Sequence, residues 1–527
     1  MKKTILILFI SVLGLTSCHS DLDQLPNSEI TSGSFFNNPT EAEIAMNGAY
    51  RGLYGANGPF GQFYVQMSTH GSHVVASHAN FTGINPVNLI SRFVFDPVSK
   101  PFKPYWQSCY KTIFRCNQVI DRTNGDDALS KRIVAEAKFI RALMYFDLVQ
   151  FFGEIPIFRN EITDASEAFK SRSPLTDVYN FIEEDLIFAE ENLLAPYWIV
   201  KDDVNSFTAG DLGRPTNTAA KGLLAKVYLT RASYPLKEES YYTDAFNKAK
   251  EVIDLNYHVL DADYGSLFTV AGEKSHEWLY QVQFDNGLGA GLGCIWGGVG
   301  NVSAQNGGKV KNSAEALDWG FGRNAPTLNL VQSYEIGDPR LEHNVAKGKL
   351  NPDNSIKYNP NQKNWYEHKF RFAIKAESRF NTDMNAPILR YADVLLVYAE
   401  AAANMGGKDS EAMQALELIR SRARGTGAFP SVLSGLTGDQ LKREILWERA
   451  RELCFEGHSR KDIVRMGEAV FNQEAKGMHY YINETQNKTE LVPWDGNIDF
   501  SKHKLFPIPA AEISSNPMIN ENNPGYN

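Results

Sequence analysis

The chain has 527 residues, of which 43% are apolar and 12% aromatic, and its formal net charge is −9 at pH 7. This length and apolar content permit a large buried core, in about three domain-sized units or in one elaborated domain. The acidic balance, without any basic stretch that carries interleaved aromatic residues, excludes nucleic acid as a partner.

The first residues have the pattern of a secretory signal. Lys2 and Lys3 give a positive start, and an apolar run follows from Ile5 to Leu15. A membrane-spanning helix needs about 20 apolar residues, so this run is too short to remain as an anchor. We predict that residues 1–17 are a signal peptide that is removed.

Cys18 stands directly after this signal. The sequence Leu-Thr-Ser-Cys that ends at Cys18 resembles the lipobox of bacterial lipoproteins, in which the cysteine sulfur is acylated and becomes the new N-terminus. The resemblance implies a lipid anchor on Cys18, which holds firmly when several chains are attached, and a tether over residues 18–38. An ordinary cleaved signal with an incidental cysteine is the alternative. Asp21 and Asp23 resemble the acidic export signals of surface lipoproteins.

Residues 39–257 are predicted to form a helical scaffold, with a first loop-rich insertion at 55–103. The clearest pattern covers 131–152, where apolar residues recur in steps of three and four and widen into a surface that must pack on two sides. Gly153 ends this helix and Pro156 prevents its continuation. Short connections between helices indicate a stacked array of helix pairs. The other helices are predicted to begin at Pro39 and to cover 105–122, 175–194, 217–233 and 243–256.

The pattern changes over residues 258–385. Residues 277–284 alternate as a strand does, and the glycine-rich stretch that follows has no helical period. We predict a loop-rich insertion here. Helical patterns return at 386–404, 409–424 and 437–455, within a second set of helices over 386–470. Residues 471–527 are predicted to be mostly irregular, because prolines interrupt them.

Beyond Cys18, the cysteines are Cys109, Cys116, Cys294 and Cys454, and their spacing is not that of a metal site. Cys109 and Cys116 lie seven positions apart on one predicted helix, about 10 Å along its axis, which is too far for a disulfide. We interpret all four as buried, unpaired thiols.

Several blocks of the chain resemble the SusD/RagB family of outer-membrane nutrient-binding lipoproteins. They are "AEAKFIRALMYFDLVQFFGEIP", "ILRYADVLLVYAEAAAN" with "IRSRA", "ERARELCFEGHSRKDIVRMG" and "PIPAAEISSNPMINENNPGY". The order, the spacing and the lipobox agree over nearly the whole chain. One departure is at Ser459 and Arg460, where the family places an arginine and then an aromatic residue.

The resemblance implies a mainly α fold, a tetratricopeptide-like (TPR-like) scaffold of helix pairs with loop-rich insertions and a few short strands, in which residues 258–385 face the ligand. It also implies a cell-surface, lipid-anchored protein of the outer membrane, without enzymatic activity, that binds a glycan and delivers it to a TonB-dependent transporter. A peptide-binding member of the same family is one alternative. A secreted glycoside hydrolase and a purely structural scaffold are others.

Glu448, Glu452 and Glu456 recur every four residues and share one face of a helix. Glycosidic cleavage needs two carboxylates about 5–10 Å apart across the substrate. These acids lie among arginines, so we predict ion pairing between packed helices and no catalytic residue. No nucleotide-binding or metalloprotease motif is present, and no cofactor is predicted. The arginines are Arg449, Arg451, Arg460 and Arg465.

His70, His73 and His78 lie close together in the first insertion. Zinc sites need three or four ligands in a compatible geometry, and no cysteine accompanies these histidines, so no metal is predicted. A structural role and a ligand-facing loop both remain open. We retain His73 as a candidate ligand contact, because imidazole both stacks and forms hydrogen bonds.

Sugar binding needs flat rings against the C–H faces of the pyranose and a few polar groups that fix the hydroxyls. Aromatic residues on loops are the candidates, with a core role as the alternative for each. We predict ligand contacts at Trp296, Trp319, Phe321, Phe81 and Asn80. The aromatic residues of the predicted helices and strand are assigned to the core: Trp106, Trp278, Tyr280 and Trp447.

Overall fold

The structure of the protein is a computed structural model. It describes residues 36, 38–54, 58–76, 86–199, 209–284, 324–346, 348–350, 356–358, 366–370, 384–425, 433–476, 479–481, 491–493 and 498–527. The helices within these ranges are α1 Pro39–Arg51, α2 Gln62–Thr69, α3 Pro86–Ser91, α4 Phe102–Arg122, α5 Ala128–Phe152, α6 Leu175–Asn192, α7 Asn217–Ala232, α8 Tyr241–Asp254, α9 Leu328–Ser333, α10 Arg340–Asn344, α11 Tyr391–Met405, α12 Asp409–Arg424, α13 Gly438–Leu453, α14 Ser459–Arg465, α15 Glu468–Lys476, α16 Phe500–His503 and α17 Ala510–Ser515.

The strands are short and pair two by two, all antiparallel. They are β1 Val75–Ala76, β2 Trp278–Val282, β3 Ala325–Pro326, β4 Val345–Ala346, β5 Gly348–Leu350, β6 Ile356–Tyr358, β7 Tyr366–Glu367, β8 Ala386–Arg390, β9 His479–Tyr481 and β10 Leu491–Pro493. The pairs are β1–β3, β2–β8, β4–β7, β5–β6 and β9–β10.

Helix α5 lies in the middle of the helical layer. The Asp127 side chain accepts a hydrogen bond from the Ser130 amide at its start, and Gly153 ends it with a φ of 72°. It packs between α4 and α6 and buries residues on every side. The predicted two-sided packing of this helix is confirmed.

The helices form a continuous array of neighbouring pairs. Helix α4 packs on α5, α6 on α7, and α7 on α8. Helix α8 then packs on α11, where the rings of Phe246 and Tyr398 stack at 4.4 Å between centroids. The array therefore passes from α8 directly to α11, although residues 255–390 separate the two helices in the sequence. The mainly α fold of TPR-like helix pairs with a few short strands is confirmed.

The predicted helix over 386–404 is wrong for its first five residues. Residues Ala386–Arg390 form β8, which pairs with β2, and α11 begins only at Tyr391. Pro387 has no amide hydrogen and restricts its neighbour to extended backbone, which favours a strand at this point. Apolar periodicity alone does not separate a short buried strand from the first turn of a helix.

Two segments predicted as loop-rich or irregular contain helices. Residues 55–103 include α2 and α3, and the C-terminal segment includes α16 and α17. Helix α17 begins directly after Pro509, a position at which proline does not interrupt the hydrogen bonds of a helix. Pro86 likewise begins α3, whereas α16 begins after the capping residue Asp499, so prolines in a segment do not exclude short helices between them.

Candidate ligand-binding site

Four buried polar residues from distant parts of the chain form one hydrogen-bonded group, which we call the root cluster: His70, Ser91, Asn324 and Glu367. His70 Nδ1 lies 2.7 Å from Ser91 Oγ, and His70 Nε2 lies 3.0 Å from Asn324 Oδ1. The Asn324 side-chain amide donates to Glu367 at 2.6 Å. None of the four exposes more than 2% of its surface.

The direction of these hydrogen bonds follows from Glu367. A carboxylate only accepts, so the Asn324 nitrogen donates to it and the Asn324 oxygen must accept from His70 Nε2. In the neutral imidazole, His70 Nδ1 then accepts from the Ser91 hydroxyl. Each member therefore has a fixed orientation, which makes the cluster a rigid connection between four segments of the chain.

The root cluster lies next to the strand pair β1–β3. Val75 is paired with Pro326 and Ala76 with Ala325. The Thr327 hydroxyl adds a hydrogen bond to the carbonyl of His73 at 2.5 Å, and its amide donates to the carbonyl of Val74 at 2.9 Å. The point at which the chain enters residues 77–85 is thereby joined to the point at which it leaves residues 285–323.

Four of the predicted ligand contacts belong to these two segments. Asn80, Phe81, Trp319 and Phe321 lie outside the described residues. Trp296 and Cys18 also lie outside the described residues, and their assignments remain predictions.

The structure places His73 in the interior. Its side chain is 1% exposed and meets the Trp447 ring edge-on, with 5.2 Å between the ring centroids. Neither ring nitrogen has a hydrogen-bond partner among the described residues. Burial lowers the pKa of His73 to about 4, although Asp462 opposes this shift. The imidazole is therefore neutral at pH 7 and packs as a flat ring.

A cleft of about 250 Å³ lies at the other end of residues 285–323, where β2 leads into that segment. Its lining includes Asn47, Tyr50, Tyr54, Arg214 and Gln283. The guanidinium of Arg214 lies 5.7 Å from the centre of the Tyr50 ring, and its Nη2 reaches the Asn47 side-chain oxygen at 3.4 Å. The cleft thus combines two half-buried phenol rings with amide and guanidinium donors.

Buried Glu136 holds the cleft wall in place. It accepts hydrogen bonds from the Tyr50 hydroxyl at 2.8 Å and from Arg214 Nη1 at 2.7 Å. Burial raises the pKa of Glu136, and Arg214 and Arg132 oppose that rise. Asp211 is the single carboxylate among the described residues that line the cleft. Flat rings beside a few hydrogen-bond donors are suited to binding a sugar.

The sequence prediction did not include this cleft. Tyr50 lies at the C-terminal end of α1 and Tyr54 lies three residues beyond that helix, so no helical period connects the two rings. Their partner Arg214 is more than 150 positions away, and no local pattern connects it to them. The sequence prediction assigned four other aromatic residues to the core. Of these, Trp106, Trp278 and Tyr280 are buried, and Trp447 is half-buried against the core.

The three acids of α13 form buried ion pairs, as predicted. Glu448 accepts from Arg340 at 2.6 Å, and Glu452 accepts from Arg340 at 3.0 Å and from Arg390 at 2.7 Å. Arg390 also donates to Glu456 at 2.8 Å. We call these five residues the charged core. All are 1% exposed or less.

The charged core joins the insertion to the helical array. Arg340 belongs to α10, and Lys369 from the same insertion donates to Glu456 at 2.6 Å. Burial favours the neutral form of Glu448, but the neighbouring arginines, Arg340 first among them, overcome it and lower its pKa to about 2. The acids are therefore ionised, paired and inaccessible to a substrate.

The arginines named in the prediction do not all serve these acids. Arg451 binds Glu448 at 2.8 Å, but Arg449 and Arg465 bind Asp462 at 3.0 and 2.9 Å. The departure from the family pattern at Arg460 leaves a guanidinium that donates to backbone carbonyls.

The thiols, the candidate metal ligands and the longest helices were also located in the part of the chain that the structure describes. Cys109, Cys116 and Cys454 are buried free thiols, as predicted. Within the same residues, no group of three or more His, Cys, Asp or Glu side chains could hold a metal ion. No helix in the described ranges combines the length and the apolar character needed to cross a bilayer.

These features define the class of the protein as a TPR-like array of helix pairs interrupted by a loop-rich insertion. Two family models match the chain: one described as "SusD family" over residues 342–526, and one described as "Starch-binding associating with outer membrane" over residues 22–229. The chain belongs to the SusD/RagB family.

Individual relatives extend over almost the full length of the chain. SusD-like protein P2 of Formosa agariphila is 26% identical, and the match covers 100% of both chains. The crystal structure of a SusD homolog from Bacteroides thetaiotaomicron is 24% identical with a TM-score of 0.76 and covers 94% of this chain and 99% of that one, which shows a shared fold. The structure of a laminarin-binding SusD-like protein is 26% identical with a TM-score of 0.68 and covers 92% and 99%.

Proposed function

We propose that the protein is a lipoprotein of the outer membrane, exposed at the cell surface, that binds an oligosaccharide or polysaccharide without cleaving it and delivers it to a TonB-dependent transporter. The ligand contacts are the predicted aromatic residues of 77–85 and 285–323, together with the cleft at Tyr50, Tyr54 and Arg214. Cys18 carries the lipid anchor.

The observation that supports this proposal most is the root cluster. Two segments that carry candidate sugar-binding rings, separated by some 200 positions, begin or end at one rigid hydrogen-bonded group. A polysaccharide site requires several rings held in a fixed mutual arrangement, because each ordered side chain reduces the entropy cost of binding. The names of the laminarin-binding relative and of the starch-binding family model add support from outside the chain.

Replacement of Trp296 should weaken glycan binding without unfolding the protein. An indole stacked on a pyranose contributes about 0.5–1.5 kcal/mol by analogy with aromatic ring pairs, so Trp296→Ala should raise the Kd by about two- to tenfold. Calorimetry of the mature protein with a panel that includes starch and laminarin measures this change. Reducing ends should stay constant over the same incubation.

Phe169→Ala is the matched control, because Phe169 is 45% exposed and lines neither the cleft nor the root cluster. It should leave the Kd unchanged. Equal affinities of Trp296→Ala and wild type would remove Trp296 from the site. Absence of binding to every glycan, or release of reducing ends, would refute the proposed function.

Replacement of Cys18 should release the protein from the membrane. A chain without the acylated sulfur retains no anchor of comparable strength, because several acyl chains supply the attachment. Cys18→Ala should therefore move the protein from the membrane pellet to the soluble fraction in cell fractionation. Cys109→Ala, which changes a buried thiol, should remain in the pellet; co-sedimentation of both variants would contradict the anchor.

A further inference from the structure

A cavity of about 140 Å³ lies among the C-terminal end of α5, the start of α6, the end of α7 and helix α14. It belongs neither to the cleft nor to the root cluster. Most of its wall is apolar and is formed by Val149, Phe151, Leu175, Pro235, Val464 and Phe506. The interior is thus able to take an apolar group.

The charged residues that line this cavity have one sign. They are Arg460, Lys461, Arg465 and Lys504, and no Asp or Glu is among the lining residues that the structure describes. Two of the four are neutralised from outside the cavity. Lys461 binds Asp147 at 2.8 Å, and Arg465 binds Asp462 at 2.9 Å.

The other two cations have no carboxylate at ion-pair distance among the described residues. Arg460 is 2% exposed, and it donates to the backbone carbonyls of His503 at 2.6 Å and Gly71 at 3.3 Å. Lys504 Nζ donates to the Tyr234 hydroxyl at 2.8 Å. Neutral acceptors satisfy these hydrogen bonds but leave the positive charge uncompensated, which is costly away from water.

Burial lowers the pKa of Arg460 to about 10, so the guanidinium remains charged at neutral pH. It also lies 4.6 Å from the centre of the Phe506 ring, which forms part of the cavity wall. An anion in the cavity would lie beside the uncompensated Arg460, and its apolar portion would contact the aliphatic and aromatic wall. Arginine and carboxylate form strong charge-assisted hydrogen bonds.

We propose that this cavity binds a small monocarboxylic acid with an apolar body of about the size of a benzene ring, with its carboxylate towards Arg460 and Lys504. The size follows from the volume, since an apolar cavity of about 150 Å³ in another protein takes up benzene. The charge follows from the lining, in which Arg460 and Lys504 have no carboxylate partner and no described acid is present.

Benzoate is the probe, and benzyl alcohol is its neutral counterpart of similar shape. Calorimetry or ligand-observed NMR on the mature protein should show saturable benzoate binding with a Kd on the order of 1 mM or tighter, as expected for a ligand of this size. Benzyl alcohol should bind at least tenfold more weakly. Equal binding of the two probes, or no saturable benzoate binding up to about 50 mM, would overturn the proposal.

Two variants test the location. Lys504→Met keeps the length of a partly exposed side chain and removes its charge; it should weaken benzoate binding several-fold and leave benzyl alcohol unaffected. Val464→Phe adds a ring at the cavity wall and should abolish binding of both probes. Leu418→Phe, at a 54% exposed position on α12, is the matched control and should bind as wild type does. Unchanged benzoate binding by a folded Val464→Phe protein would exclude this cavity.

Discussion

Replacing Arg390 with methionine should destabilise the protein by about 3–5 kcal/mol, the cost typical of removing one partner from a buried ion pair. Arg390 donates to Glu277 at 2.6 Å, to Glu452 at 2.7 Å and to Glu456 at 2.8 Å. Methionine fills a similar volume but leaves these buried carboxylates with less positive charge. Urea unfolding followed by tryptophan fluorescence measures the change in the free energy of unfolding.

The free energy of unfolding of Arg390→Lys should lie between those of Arg390→Met and wild type. It restores the charge but cannot form the fork of hydrogen bonds that reaches three carboxylates. Arg159→Met is the matched control, because Arg159 and Glu184 form an ion pair in which both side chains are more than half exposed. Such a pair contributes about 0–1 kcal/mol. A loss below about 1 kcal/mol for Arg390→Met would contradict the stabilising role of the charged core.

Arg390→Met should also loosen the insertion before the helical array unfolds. Glu277 directly precedes β2 and Arg390 ends β8, so this ion pair reinforces the strand pair that links the insertion to α11. Limited proteolysis should therefore cut residues 258–385 faster in the variant, with α5 cut at an unchanged rate. Sub-global opening of this kind depends on the local contacts that hold a segment.

The helical array was predictable because its signal is local. In α5 the apolar residues recur at helical steps, Asp127 caps the start and Gly153 ends the helix, so that every determinant lies within 27 consecutive residues. Helix α12 has the predicted bounds for the same reason. The acids of α13 were assigned to ion pairs because arginines stood nearby in the sequence.

The rest could not be read from the sequence, because its contacts join distant positions. His70 and Asn324 are 254 positions apart, and nothing in the sequence around either residue indicates that their side chains meet. The main partners of Glu448 and Glu452 include Arg340 from the insertion, more than 100 positions away, whereas the nearby Arg449 serves Asp462. The cleft likewise depends on Arg214 meeting Tyr50 across the fold.

Stability should fall steeply as the pH is lowered from about 6.5 to about 4. Burial lowers the pKa of His73, His258 and His503 to about 4, from an ordinary value of 6.5. Below pH 6.5 the unfolded chain binds protons that the folded protein does not, so the free energy of unfolding decreases. For fully buried His73 the loss is on the order of 3 kcal/mol once the pH is below 4.

Glu448 extends the same trend to lower pH. Its pKa is about 2 in the folded protein against an ordinary 4.5, so its contribution is complete above pH 4.5 and is lost as the pH falls towards 2. The histidines and this carboxyl therefore act in the same direction. Since domains are stable by about 5–15 kcal/mol, acid unfolding should occur near pH 4 and not near pH 2.

His73→Phe separates the imidazole from the other groups. Phenylalanine keeps a flat ring against Trp447 and removes two buried nitrogens that have no described partner. At pH 7.5 the variant should be as stable as wild type or slightly more so, because an unsatisfied buried polar group is costly. At pH 5 the free energy of unfolding of His73→Phe should exceed that of wild type by about 2 kcal/mol. The unfolded wild-type chain is stabilised by protonation of His73, and the unfolded variant is not.

Urea unfolding at pH 7.5, 6, 5 and 4 checks this difference, and the same samples serve a glycan titration. Parallel pH profiles for His73→Phe and wild type would show that His73 does not titrate as a buried group. Unchanged glycan affinity at pH 7.5 would remove His73 from the predicted ligand contacts, whereas a several-fold loss would keep it there. The two readouts distinguish packing from recognition because a ring substitution at a 1% exposed position alters affinity only if the ligand reaches that depth.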